Sequence, residues 1–321
     1  MDTLYIVVPC YNEQEVLPET AKRLREKLSG LIAAKKVSDK SRIVFVNDGS
    51  KDKTWEIINS LHKSDRLFSG ICLSRNCGHQ HALLAGLMTV KDEADMVISM
   101  DADLQDDINA VDEMIEKYYS GCDIVYGVRS KRALDTFFKR FSAQCFYKLM
   151  KAFGVKTIYN HADYRLLSRR ALDALSRFGE VNLFLRGIVP LLGFKSDIVT
   201  YERQERFAGE SKYPLKKMIS FAIDGITSFS IKPIRIITGL GLFIFIACIF
   251  IFAYILIRYL TGHTVAGWTS IVTSLWAIGG LVLLSLGVIG EYIGKTYMEV
   301  KQRPRFIVEQ YLSDKPENCS K

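Results

Sequence analysis

Between Leu4 and Arg129 short apolar runs alternate with amphipathic stretches, and the runs stop at polar or acidic turns. Leu4–Pro9 (L-Y-I-V-V-P) is a β-branched run closed by proline and reads as a buried strand. Val16, Leu17, Ala21, Leu24 and Leu28 then fall at helical spacing within Glu13–Ser29. Ile43–Val46, Gly70–Ser74, Met96–Met100 and Ile124–Val128 repeat the strand pattern, with helical segments Thr54–Lys63 and His79–Val90 among them. This alternation predicts an α/β fold with a mostly parallel, doubly wound sheet. Past Arg129 it breaks. Leu134–Phe153 is a helical run of mixed aromatic and basic residues, suited either to pack on the sheet or to lie at a membrane surface. Arg169–Ser176 reads as a short helix and Ile198–Glu202 as the last strand.

A second pattern takes over further on. Ile236–Ile257 carries no charge, and neither does Tyr259–Gly290 apart from His263, taken as neutral. About 20 apolar residues cross a bilayer core, so two transmembrane helices fit within 233–293, with Thr261–Thr269 as their turn. Just before them Leu215, Met218, Ile219, Ala222, Ile223 and Ile226 share one face, which predicts an interfacial helix over 214–232. The expected organisation is therefore a globular domain over 1–213, the interfacial helix, the two-helix hairpin and a tail over 294–321. The net charge of +8 falls mostly on the flanks of the hairpin, while Thr261–Thr269 has no Lys or Arg. By the positive-inside rule this multi-pass arrangement places both termini and the globular domain in the cytoplasm. Such collars are lipid-headgroup contacts, and no nucleic-acid motif accompanies them. Seven scattered cysteines and five histidines show no metal-ligand spacing, so no zinc site is expected.

The candidate chemistry centres on Val97–Asp107 (V-I-S-M-D-A-D-L-Q-D-D). In an extended segment Asp101, Asp103 and Gln105 point the same way. Three hard oxygen ligands past the end of a buried strand suit Mg²⁺ or Mn²⁺ bound with a diphosphate. The same spacing also fits an acidic turn leading into a helix at Asp106–Asp107. Asn47-Asp48-Gly49-Ser50 has two readings as well: a turn offering a carboxylate to a ribose or base, or an ordinary turn before a helix. Ala162–Ser168 brings Asp163 and Arg165, and Glu205–Tyr213 (E-R-F-A-G-E-S-K-Y) is a polar loop with Arg206 and Lys212.

Taken in order, Pro9-Cys-Tyr-Asn-Glu13, Asn47–Asp52, Asp101–Gln105 and Glu205–Tyr213 resemble the family 2 glycosyltransferases that act on polyprenyl phosphate. The bactoprenol glucosyltransferases are the nearest in pattern and the dolichol-phosphate mannose synthases more distant. The likeness runs along essentially the whole chain, to the G-E-Y-I-G-K-T-Y of Gly290–Tyr297. It implies a GT-A fold in the bacterial plasma membrane, a nucleotide-sugar donor, a divalent metal and inverting transfer to a lipid phosphate. It further implies that Pro9, Tyr11, Asn12, Glu13 and Asp48 line the nucleotide pocket. Asp101 would face nucleotide and sugar, Asp103 and Gln105 would hold the metal, and Asp163 matches the aspartate proposed as base. Arg129, Arg140, Arg206 and Lys212 stand where the pattern places acceptor or pyrophosphate contacts. His79 departs from it, since some relatives carry lysine after the glycine.

The resemblance favours UDP-glucose as donor and undecaprenyl phosphate as acceptor, with UDP-N-acetylhexosamines and GDP-mannose as the other donors. The chain is also compatible with a homo-oligomer. A processive polysaccharide synthase is the competing activity, yet none of Trp55, Trp268 and Trp276 lies in a Q-x-x-R-W element. A nucleotidyltransferase would want a glycine-rich phosphate loop near the start. A lipid phosphate acceptor needs little deprotonation, because its second pKa is about 6. Asp163 therefore reads equally as a base and as an orienting group.

Overall fold

The computed structural model describes residues 1–130, 161–181, 183–202, 232–261 and 267–313. Leu4–Cys10 (β1) is buried along its whole length, as expected of a β-branched run with parallel neighbours on both sides. Those neighbours are Arg42–Asn47 (β2) and Met96–Ser99 (β4). Phe68–Leu73 (β3) pairs parallel to β2, while Ile124–Arg129 (β5) pairs parallel to Ser196–Tyr201 (β7). His161–Ser168 (β6) lies between β4 and β5 and is antiparallel to both. Val308–Leu312 (β8) runs antiparallel to β3 at the far edge. The order is β7-β5-β6-β4-β1-β2-β3-β8. The expected sheet is thus a mixed one, and the reversed strand β6 brings its first residues to the rim where β4 and β5 end.

Helices cover both faces. Leu17–Ala33 (α1), Thr54–Ser64 (α2) and Ala110–Tyr119 (α4) join the core cluster that includes Leu4, Ile6, Val8 and Phe45. His79–Val90 (α3) packs on the alternate side chains, Val7 and Val46. Arg169–Ser176 (α5) and Leu185–Leu191 (α6) complete this unit. α1 begins four residues later than the spacing suggested, because Val16 and Leu17 close a turn on the Glu13 carbonyl and Pro18 starts the helix.

Lys232–Leu260 (α7) and Trp268–Val300 (α8) form a second compact unit. Both expose large apolar side chains, among them Phe243 and Phe250 on α7 and Leu275 and Leu283 on α8. Among the described residues one segment, Ile278–Val300, is long and apolar enough to cross a membrane, where two were expected. It also runs beyond Gly290, the end of the charge-free stretch. The run 134–153 and the interfacial helix of 214–232 lie outside the described residues, apart from the helical start of α7 at Lys232. The tail read over 294–321 instead contains the end of α8 and the edge strand β8, so Ile198–Glu202 is not the last strand. Arg305 donates to the Phe178 carbonyl at 2.9 Å, which fixes the chain ahead of β8.

Close approach of α3 to the sheet needs a glycine. A Cβ on Gly86 would stand 2.4 Å from Val7 Cγ1 and 2.7 Å from Val46 Cγ2. Gly86→Val is expected to destabilise the domain by about 1–3 kcal/mol through overpacking. A urea midpoint equal to wild type would show that α3 lifts from the sheet at no cost.

Candidate active site

Register places the first two carboxylates. Ser99 stands opposite Arg165 in the antiparallel pair, so two residues further on Asp101 and Asp163 meet at the rim. The Ser99 hydroxyl donates to the Asp163 carbonyl and ties the two strands there. Past Asp101 the chain turns toward α1, where Thr20 donates to the Ala102 carbonyl at 2.7 Å. Leu104 is buried in a left-handed conformation (φ 58°), a strained state for a branched side chain. Ala102 and Leu104 point inward, while Asp103 and Gln105 stay half-buried at the surface.

Asp163 is almost wholly buried, and burial alone would raise its pKa. Instead Arg186, His79 and Arg165 hold it well below the usual carboxylate range. Arg165 Nη2 donates to Oδ1, Arg186 Nη2 to Oδ2 at 3.0 Å and Gln80 Nε2 to Oδ2 at 3.1 Å. His79 Nε2 lies 3.6 Å from Asp163 Oδ2 and 3.5 Å from Asp101 Oδ1. Burial opposes the imidazolium, but these two carboxylates push His79 up to about 9. Asp101 is driven up to about 6, by burial first and then by Asp106, Asp163 and Asp103, against the opposing pull of His79. Among the described residues its Oδ1 is buried with no hydrogen-bond partner.

Asp106 is buried against the ends of β5 and β7. It accepts from the Tyr201 hydroxyl and from Arg129 Nη2 at 3.4 Å, and Arg129 Nε donates to Tyr201 at 3.3 Å. Asp106 thereby links the Asp103–Gln105 loop to Arg129 and to the strand that precedes the 205–213 loop.

The nucleotide-pocket residues carried by the resemblance also gather at the strand ends. Pro9 stands opposite Val46 one residue before the end of β1, and Tyr11 is 44% exposed. Asn12 is left-handed (φ 54°), and its side chain accepts from the Lys51 N–H at 2.9 Å. The Glu13 N–H donates to Thr54 Oγ1 at 3.0 Å. Asp48 is buried, and its carboxylate accepts from the N–H groups of Cys77 (2.7 Å) and Gly78 (2.9 Å). Gly49 (φ 62°) permits this, since a Cβ there would lie 2.6 Å from Asn76 N. Asp48 therefore holds the loop into α3 in place. Arg140, Arg206 and Lys212 lie outside the described residues.

Asp103 and Gln105 carry hard oxygens, the ligand type that Mg²⁺ and Mn²⁺ take. Among the described residues no three His, Cys, Asp or Glu groups converge into a closed cage. Asp103 and Gln105 offer oxygens beside an acidic, partly buried Asp101, the open kind of site Mg²⁺ or Mn²⁺ completes with substrate phosphates. Gln80, Arg186 and Tyr201 were not singled out by sequence; no motif flags them, and only the fold brings them to the rim.

Residues 5–176 match the model of glycosyl transferase family 2. The chain belongs to this family. It is 53% identical to the uncharacterized glycosyltransferase YkoT of Bacillus subtilis, over 95% of this chain and 91% of that protein. It is 41% identical to the prophage bactoprenol glucosyl transferase homolog of Escherichia coli, over 95% of this chain and 98% of that protein. The bactoprenol glucosyl transferase of Shigella phage SfV is 40% identical, with 95% of this chain and 97% of that one covered. The mixed sheet is accordingly a GT-A type fold, and the protein is a glycosyltransferase.

Raising the His79 pKa from its ordinary value near 6.5 to about 9 couples folding to pH. Its contribution is fully present below pH about 6.5 and is lost as pH rises through about 9. His79 is 41% exposed, so solvent screens part of the effect. The thermal midpoint of wild type is expected to exceed that of His79→Gln at pH about 6 and to converge on it above pH about 9. A gap constant over that range would show that His79 is not charged by its two carboxylates.

Proposed function

We propose that this glycosyltransferase moves glucose from UDP-glucose to a polyprenyl phosphate, with inversion at the anomeric carbon, at the cytoplasmic face of a bacterial plasma membrane. The observation that carries the reading is a rim that combines cations with paired carboxylates, in a chain whose second unit exposes long apolar helices. Relatives named bactoprenol glucosyl transferase, about 40% identical along nearly the whole chain, support the lipid acceptor and the sugar.

Asp103 and Gln105 would hold Mg²⁺ or Mn²⁺, which when bound neutralises charge on the departing diphosphate. Arg129 is fixed beside that loop by Asp106 and Tyr201 and suits the same diphosphate. Tyr11 offers its exposed ring to the nucleotide, and Asp48 keeps the loop 75–78 in place beside it. In the displacement an acceptor phosphate oxygen bonds to the anomeric carbon while that carbon's bond to UDP breaks. The acceptor is largely dianionic at neutral pH, so no proton has to be removed. Asp163 is saturated by donors and held ionised, which makes it an orienting anion. Arg206 and Lys212 are assigned to the acceptor side on sequence grounds.

Chain connectivity supports a hairpin. The strands before α7 and the strand after α8 belong to one sheet. A chain that leaves that sheet to cross a membrane and returns to it must cross an even number of times. Ile278–Val300 as one span therefore calls for a partner, and α7 supplies 29 residues.

The test is transfer of radiolabelled sugar to a short polyprenyl phosphate, comparing UDP-glucose, UDP-N-acetylglucosamine and GDP-mannose. UDP-glucose is expected to be preferred, and Asp103→Asn to lower the rate by about two orders of magnitude, or about 2.7 kcal/mol of transition-state stabilisation. Transfer only to a growing polysaccharide would replace this reading with the processive one. Full activity of Asp103→Asn in EDTA-treated buffer would take the metal out of it.

A further inference from the structure

Between α5 and α6 the described residues lie in neither helix nor strand, so no regular ladder fixes them. Side chains from distant elements do so instead. Arg305 Nη1 donates to the Phe178 carbonyl at 2.9 Å and to the Glu180 carbonyl at 3.5 Å. His81 Nε2 of α3 lies 3.3 Å from the Val181 carbonyl. At the start of α6 the Leu185 N–H donates to Gln80 Oε1 at 3.0 Å, and the Leu185 carbonyl accepts from Arg165 Nη1 at 3.3 Å.

The two ends of this connection hold different things. At the α6 end Gln80 and Arg165 are the same side chains that bind Asp163, Gln80 through Nε2 at 3.1 Å. An amide whose oxygen is taken by the Leu185 N–H turns its NH2 group toward the carboxylate, so Leu185 sets the sense in which Gln80 faces Asp163. At the α5 end Arg305 reaches out from a main chain that is itself fixed. It stands just ahead of β8, and the Ser74 N–H donates to the Ile307 carbonyl at 3.1 Å. A guanidinium on a carbonyl oxygen is a charge-assisted contact, stronger than one between neutral groups.

A connection without a ladder opens locally at low cost, and its opening is felt where its ends are bonded. Here one end is bonded to the carboxylate cluster of the rim. We propose that Arg305 is a positioning residue for that rim: its grip on the Phe178 and Glu180 carbonyls keeps Leu185 on Gln80, and Gln80 on Asp163. The segment that follows the apolar helices and rejoins the first compact unit thereby supports the site as well as the sheet edge. The proposal holds for any donor sugar, and its activity measurement rests on the lipid-phosphate reading above.

The experiment compares wild type, Arg305→Gln, Arg305→Lys, Gln80→Ala and the Arg305→Gln/Gln80→Ala double variant, each as the detergent-solubilised full chain. Hydrogen exchange at the Leu185 amide reports its bond to Gln80, exchange in β1 reports global opening, and the thermal midpoint is measured on each. Transfer from UDP-glucose to farnesyl phosphate gives kcat. The expected result for Arg305→Gln is faster exchange at Leu185 with β1 unchanged, and a kcat lowered by about tenfold to hundredfold. Arg305→Lys recovers part of both, and the double variant is no slower than Gln80→Ala alone, since the two residues act through one contact. Unchanged Leu185 exchange or unchanged kcat in Arg305→Gln overturns the proposal. Losses that multiply in the double variant put Arg305 on a separate route and overturn it too. Faster exchange in β1 with a lowered thermal midpoint assigns Arg305 a structural role, with the same consequence. Wild type that transfers nothing to farnesyl phosphate overturns the lipid-phosphate reading, and Leu185 exchange read against Gln80→Ala then decides the role of Arg305 by itself.

Discussion

Because β6 enters the sheet antiparallel to β4, its first carboxylate is forced against the carboxylate that follows β4. Two acids side by side at a partly dry rim repel one another, and a buried carboxylate without partners costs several kcal/mol. The fold meets this by drawing cations and donors from separate elements: His79 and Gln80 from α3, Arg165 from β6 itself and Arg186 from α6. Each partner is useful only if its element is correctly placed, so the cluster around Asp163 also registers α3, β4, β6 and α6 against one another. Removing one partner from such a group leaves charge uncompensated, which is why these contacts act together.

The same cluster explains how chemistry is divided along the rim. A carboxylate held far below its ordinary range and occupied by four donors makes a poor proton acceptor. It makes a good fixed point from which to aim positive charge. Asp101 differs: it is less engaged, driven upward and left with a buried oxygen lacking a hydrogen bond. Neighbouring acids in different surroundings thus differ in how fully they are engaged and in the direction their pKa values are driven.

Legibility followed the physics of burial. Strands β1 to β5 were visible because both faces of a central parallel strand are apolar, so L-Y-I-V-V-P and M-V-I-S-M stand out. Asp101, Asp103 and Gln105 were visible because they break such a run at alternate positions. β6 was hidden: A-D-Y-R-L-L-S carries an acid and a base whose mutual burial only the fold reveals. β8 was hidden too, since V-E-Q-Y-L at an edge keeps polar side chains and resembles a tail. Asp48 and Asp163 entered through family resemblance, and spacing alone left both ambiguous. Arg186, in N-L-F-L-R-G, had no local signal, because its partner Asp163 lies 23 residues back in sequence on another element.

β8 changes what the long helices are. Tyr311 of β8 and Tyr5 of β1 share the Glu93 carboxylate, at 3.3 and 3.0 Å, and Ser74 donates its N–H to the Ile307 carbonyl at 3.1 Å. The chain that leaves the catalytic unit ahead of α7 is thus returned to that unit and fastened on the edge of the sheet. In sequence the helical unit is an insertion between strands of one sheet. The edge strand also covers the otherwise open N–H and C=O groups of β3, a row that would invite pairing with another chain. One short strand therefore extends the sheet and returns the chain, after the apolar helices, to the unit it left.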